Sequence, residues 1–233
     1  MTDAAPTTPR QRARAALEAE ILDTARRHLA ADGAQALSLR AIARELGMVS
    51  SAIYRYVPSR DALLTQLILA AYRAVGAAAR EGDAAVEDRT DHAGRLVAAA
   101  HGVRDWALEH PAEYALIYGT PVPGYQAPLD TIDPAAEVGV VLLQAIADAA
   151  EAGLVVDYEG PEPDPALRAD AERLAATVGF AGDPLVLIWG LETWSSLFGA
   201  ISFELFGHFQ NVVTDRRANL ELMMRRHAAR ILR

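Results

Sequence analysis

A chain of 233 residues, 52% hydrophobic and 23% charged, has enough apolar material for one sizeable core or two smaller ones, and is not the composition of a disordered polypeptide. The absence of cysteine excludes disulfides and thiolate metal sites. The formal charge of −9 argues against a surface that attracts nucleic acid everywhere, yet residues 1–72 hold nine arginines against seven acids and residues 73–233 hold 13 against 24. A polyanionic partner therefore has to meet a local face in the first third.

Residues 1–9 are small, polar and proline-bearing and read as a flexible tail; they have no apolar stretch of the export type, so a cytoplasmic protein is expected. Helices then begin. Leu17, Ile21, Ala25 and Leu29 recur every fourth residue, and Gly33 stands where such a helix ends. Ser38 is placed to cap a second helix carrying Leu39, Ile42, Ala43 and Leu46 on one face, which Gly47 stops. Ser50 is read as the cap of a two-turn helix that Pro58 ends, because the residue before a proline is pushed out of helical geometry. Ser59 and Asp61 start a longer helix lined by Leu63, Leu64, Leu67 and Ile68, running to Gly82.

Past the charged break GDAAVEDRTD, helices are expected over 91–110, after Pro111, and over 135–153, 166–177, 184–206 and 213–232, with TPVPGYQAPLDTIDP and DYEGPEPDP as loops. No segment alternates as a strand does, so the fold class is all-α. The apolar run 184–206 is interrupted by Glu192, Glu204 and several hydroxyls; it reads as a buried helix, and no membrane is expected as a partner.

Two short helices joined by a glycine-led turn are the geometry of a helix-turn-helix. Ile53 and Val57 supply the inner edge of the second helix, leaving Ser51, Ala52, Tyr54, Arg55 and Tyr56 to project outward. A lone two-turn helix is unstable in water, so neighbouring helices have to brace it. From Ser38 to Arg60 the charge is +3, four arginines against Glu45. Small residues let such a helix approach base edges, and arginine can donate two parallel hydrogen bonds to guanine.

The run LSLRAIARELGMVSSAIYRYVPSRDALL, preceded by ILDTARRHLAADG, resembles the N-terminal DNA-binding domain of the TetR (tetracycline-repressor) family over residues 12–72. The resemblance implies a three-helix DNA-binding domain over 10–72 and a helical effector-binding and dimerisation domain over 73–233. It implies a repressor that binds a palindromic double-stranded operator as a homodimer and is released by a small-molecule effector. Carried over by position, Ser50, Ser51 and Ala52 take the start of the recognition helix, Tyr54 and Tyr56 the aromatic positions facing the DNA, and Arg60 the basic position opening the next helix. Ser38 and Arg40 take a further phosphate- or base-contacting position, and Arg55 stands in for a lysine that many members carry where Ser51 is. Arg10, Arg12 and Arg14 suit either a basic arm in a minor groove or a solvated tail.

YGTPVPGYQAP and WGLETWSSLFGAISFELFGHF resemble the C-terminal domain of the Trp-His-Gly branch of that family, although Phe198-Gly199 stands where His-Gly would. Small residues at Gly190, Ser195, Ser196, Gly199 and Ser202 suit a dimer interface built from the last two helices, and equally plain core packing. Trp106, Tyr114, Tyr118, Trp189, Trp194 and Phe198, with Glu192 and Thr193 as polar groups, form a candidate effector pocket. The same aromatics also suit a packed core. No metal or other cofactor is expected, since no two histidines pair at helical spacing, and no catalytic motif marks an enzyme. The alternative is a helical ligand- or protein-binding module that keeps the helix-turn-helix without using it on DNA.

Overall fold

The computed structural model of the chain describes residues 8–233, which form ten α-helices, two short 3-10 turns and one isolated antiparallel bridge, Val155 to Leu232. Helix α1 (Pro9–Asp32) opens with a reciprocal cap in which the Thr8 side chain accepts from Gln11 N–H and the Gln11 side chain bonds back to Thr8. Residues 1–7 of the segment read as a tail lie outside the described residues, whereas Thr8 and Pro9 begin this helix. Arg10, Arg12 and Arg14 are therefore helical, so the arm reading does not hold for them.

Helix α2 (Leu39–Glu45) is capped by Ser38, whose Oγ accepts from Ala41 N–H at 3.4 Å. It ends at Gly47, which adopts φ +66°, while Gly47 N–H and Met48 N–H donate to the carbonyls of Arg44 and Ala43. These two bonds form a Schellman cap, and its left-handed residue is why a glycine stands there. Helix α3 (Ser50–Ile53) is shorter than the two turns expected, and Val49, not Ser50, precedes its first residue. Beyond Ile53 the chain tightens: Arg55 N–H and Tyr56 N–H donate to the carbonyls three residues back, and Pro58 ends the run. Helix α4 (Arg60–Ala84) starts where Ser59 Oγ accepts from Ala62 N–H at 3.0 Å.

The described residues form two compact units. The first takes Thr8–Tyr72 together with His110–Ile132, and the second takes Arg73–Glu109 with Asp133–Arg233. The sequence reading assigned all of 73–233 to one body, but helix α6 (Pro111–Tyr118) and the loop after it pack with the first unit. The cause is apolar contact. Ala112, Leu116, Val122 and Tyr125 lie against the core of Ile21, Ile42, Ile53, Val57, Leu63, Leu64 and Leu67. Polar bonds reinforce it: Arg26 Nε donates to Glu113 at 3.3 Å, and the hydroxyls of Thr65 and Tyr125 lie 2.9 Å apart.

The second unit contains α5 (His92–Glu109), α7 (Ile132–Glu151), α8 (Pro165–Val178), α9 (Val186–Leu205) and α10 (Arg216–Ile231), with the end of α4. Gly82 and Gly102 allow α4 and α5 to touch: a Cβ on either would lie 2.3 or 2.2 Å from a carbonyl oxygen of the facing helix, Ala98 or Ala78. Two ion-pair groups tie the helices internally. Buried Arg95 reaches Asp83 at 2.8 Å and Asp148 at 2.7 Å, and Arg104 grips Glu204 with two bonds of 2.6 and 2.8 Å. The bond to Glu204 holds the Arg104 guanidinium above its ordinary pKa, against burial that opposes the charge. Helices α4 and α9 are long and apolar enough to cross a bilayer by composition, but both bury one face in these helical cores.

Candidate nucleic-acid interface

The short helix α3 is held by what lies beneath it. Ile53 is 0% exposed and Val57 1%, both locked among Ile42, Leu63, Leu64 and Leu67, while Ser50, Ser51, Tyr54 and Arg55 are exposed. Ala52 and Tyr56 are half-buried at the margin. Two anchors thus fix a helix too short to stand alone, and its outer edge carries hydroxyls, a guanidinium and a phenol on a rigid base.

Charge adds to that edge. Arg40 and Arg44 of α2 and Arg55 are exposed, and the single acid in this stretch, Glu45, is occupied: Arg27 Nη2 donates to it at 2.8 Å and His28 Nε2 lies 2.7 Å from its other oxygen. The Arg27 bond first, and the His28 bond second, hold the Glu45 carboxyl below its ordinary pKa of 4.5. The one negative group of the motif is therefore paired from α1, which leaves the α2–α3 surface net positive.

Not every residue singled out from the sequence is equally available. Arg60 is half-buried; its Nη2 donates to Ala34 O at 2.8 Å and Gln35 O at 3.4 Å, tying the start of α4 to the 3-10 turn over Ala34–Ala36. Part of its fork is therefore spent within the protein. Ser38 is committed to its cap in the same way. Conversely, Val49, 69% exposed in the turn before α3, and Arg44 share the surface and were not singled out from the sequence. Arg44 was legible, because it lies one turn beyond Arg40 on the same helix. Val49 was not, since an apolar residue beside a turn gives no sign of being exposed.

The residues of the candidate effector pocket belong to both units. Tyr114 and Tyr118 lie in the first unit, where their rings are 5.1 Å apart and Tyr118 meets Tyr72 edge-on at 5.9 Å. Burial first, then the two neighbouring tyrosines, push the Tyr118 phenol far above its ordinary range, so it stays protonated. In the second unit Trp189 is buried, with the Tyr158 ring at 4.8 Å and the Arg230 guanidinium at 4.6 Å. Exposed Glu192 pairs with Arg230 at 2.6 Å, and Thr193 spends its hydroxyl on the Trp189 carbonyl at 2.8 Å. Those two polar groups are thus already engaged. Trp194 and Phe198 form an edge-on pair at 5.8 Å, and Trp106 is buried on α5.

Residues 21–67 match the tetR family of bacterial regulatory proteins, and residues 96–227 match a family of tetracyclin repressor-like C-terminal domains. That C-terminal match supports a tetracyclin-repressor-like body and not the narrower Trp-His-Gly branch expected from the sequence. The chain is 42% identical over 214 residues to the HTH-type transcriptional regulator Rv1816 of Mycobacterium tuberculosis, covering 88% of each. It is also similar to the crystal structure of the regulatory protein SCO4313, with 38% identity and a TM-score of 0.74 over 95% of this chain and 100% of that one. A TetR family regulator from Marinobacter aquaeolei, 18% identical with a TM-score of 0.60 over 96% of this chain and 98% of that one, shares the fold.

Proposed function

We propose, because this chain belongs to the tetR family of bacterial transcription regulators, that the exposed edge of α3 reads an operator in the major groove and that the protein acts there as a repressor. The observation that carries the reading is a four-residue helix anchored by fully buried Ile53, with Ser51 and Arg55 left in solvent. Arg55 donates its fork to a guanine, Ser50 and Ser51 approach base edges or phosphates, and Ala52 leaves room for that approach. Tyr54 and Tyr56 meet sugar-phosphate or thymine methyl groups, and Arg40 and Arg44 meet phosphate. Arg60 reaches phosphate only with the part of its guanidinium not spent on Ala34 and Gln35. Ser38 serves mainly by capping α2.

Two copies bind a palindrome as a homodimer through α9 and α10. Exposed Leu191 and Phe203 on α9, Phe206 just past its end and Leu222 on α10 support that reading, since a lone subunit leaves them in water. A cytoplasmic small molecule held by the helical body shifts the population toward a conformation whose recognition helices no longer match the operator. Coupling of this kind is typically ~1–3 kcal/mol. The chain itself offers a route: residues 110–132 belong to the first unit but are joined at both ends to the second, and Glu113 holds α1 through Arg26. Trp189 and Trp194 are the favoured pocket residues, because the indole N–H of each is buried with no hydrogen-bond partner among the described residues.

The test is selection of random-sequence duplexes on the purified protein, repeated with Arg55→Ala. Loss of one bidentate contact is expected to weaken the selected site by about 1–3 kcal/mol and to relax preference at one base pair per half-site. Unchanged affinity and selectivity would remove Arg55 from base reading.

A further inference from the structure

Arg14 lies outside the helix-turn-helix, in the second turn of α1, yet its guanidinium carbon sits 5.6 Å from the centroid of the Tyr56 ring. That separation is within the range at which a cation is attracted to an aromatic face. We infer that Arg14 is a positioning residue for DNA recognition: by stacking on Tyr56, it holds that ring in the pose in which it meets the duplex. The inference rests on the reading of α3 as the recognition helix.

Three observations support this role over direct phosphate binding. Arg14 is already engaged, its Nε donating to Glu18 Oε1 at 2.8 Å one turn along α1. Its charge is thus partly balanced and its guanidinium held between a carboxylate and a ring. The backbone beneath it is fixed as well, because Thr8 and Gln11 cap the first turn reciprocally. Finally, Tyr56 lies just beyond the last residue of α3, where its backbone is held by the bond from Tyr56 N–H to Ile53 O at 2.9 Å, and its ring packs partly against the core. The backbone is settled, and the ring is only half-buried. Arg14 covers one side of it, so the entropy of ordering that ring is lost on folding and not again on binding DNA.

The experiment is a double-mutant cycle on the full chain, with Arg14→Ala, Tyr56→Ala and the pair, titrated against a duplex selected on the wild-type protein over a range of salt concentrations. Arg14 is an exposed helical position, where alanine preserves the fold, and circular dichroism with urea unfolding checks the half-buried Tyr56→Ala. Arg14→Ala is expected to weaken binding about two- to fivefold, the equivalent of one exposed cation–π contact. The slope of log affinity against log salt stays at the wild-type value, and Arg14→Ala has no further effect once Tyr56 is alanine. An undiminished Arg14→Ala loss in the Tyr56→Ala background, or a slope reduced by about one, overturns the inference, the second result marking Arg14 as a phosphate ligand in its own right. Unchanged affinity in Arg14→Ala overturns it too. If selection recovers no duplex on the wild-type protein, the recognition reading fails and this inference falls with it.

Discussion

Helix α3 and helix α9 solve opposite problems. The first has four residues, one fully buried anchor and an outer edge of serine that the turn after it continues with tyrosine and arginine. The second has 20 residues, a buried face of Val186, Leu187, Thr193, Leu197 and Ile201, and still leaves Phe203 51% exposed, with Phe206 just past its end 48% exposed. A polar edge on a rigid base loses little by staying in water, so it suits a hydrated, charged partner met transiently. Apolar rings in water are unfavourable until something covers them, so they suit a lasting protein contact. One chain thus carries two kinds of surface, and the chemistry of each points to a different class of partner.

Breaking each region from inside sharpens the contrast. The largest effect is expected in the α9 region, where Arg104 and Glu204 are both mostly buried and doubly bonded. Glu204→Ala leaves the guanidinium with Asp105, at 3.2 Å, as its remaining carboxylate among the described residues, and should cost about 3–5 kcal/mol in urea unfolding, the range for a broken buried pair. Next comes the α3 anchor. Ile53→Ala removes a fully buried side chain and should cost about 2–5 kcal/mol, with operator affinity lost because the helix loses its brace. A retained operator complex at full affinity would show that α3 does not depend on its core.

The smallest effect is one of pH and belongs to the second unit. Burial first, and then the Arg217 charge, hold His101 below its ordinary 6.5; burial likewise lowers His227. The unfolded chain therefore takes up protons that the folded one resists, so stability is full above the unfolded value and declines as pH falls below 6.5 toward the depressed folded values. Urea midpoints should drop from neutral to mildly acidic solution, and His101→Gln should flatten that dependence. A midpoint that rises on acidification would contradict the assignment.

How much was legible in the sequence follows from range. The ten helices and the helix-turn-helix were readable because their signals are local: four-residue apolar spacing, Ser38 and Ser59 as caps, Gly47 and Pro58 as stops. The Schellman cap after α2 is written in a single glycine. What the sequence hid depends on partners far along the chain. Nothing near Arg60 shows that its guanidinium will bond to Ala34, 26 residues earlier. Nothing near Pro111 shows that α6 will join the first unit, a placement made by apolar contacts and by the Arg26–Glu113 pair across 87 residues. The surroundings of the candidate pocket residues were hidden for the same reason, since spacing along a helix places a residue on a face without saying what that face meets.

The measurement that bears most directly on the central claim is the salt dependence of affinity for a selected duplex. If the edge of α3 and the arginines beside it meet the phosphate backbone, log affinity falls linearly and steeply with log salt as counterions are released, and removing Arg40 or Arg44 lowers the slope by about one each. If no duplex is held at low ionic strength, or if affinity does not respond to salt, the surface built on Ile53 is not a DNA-binding one.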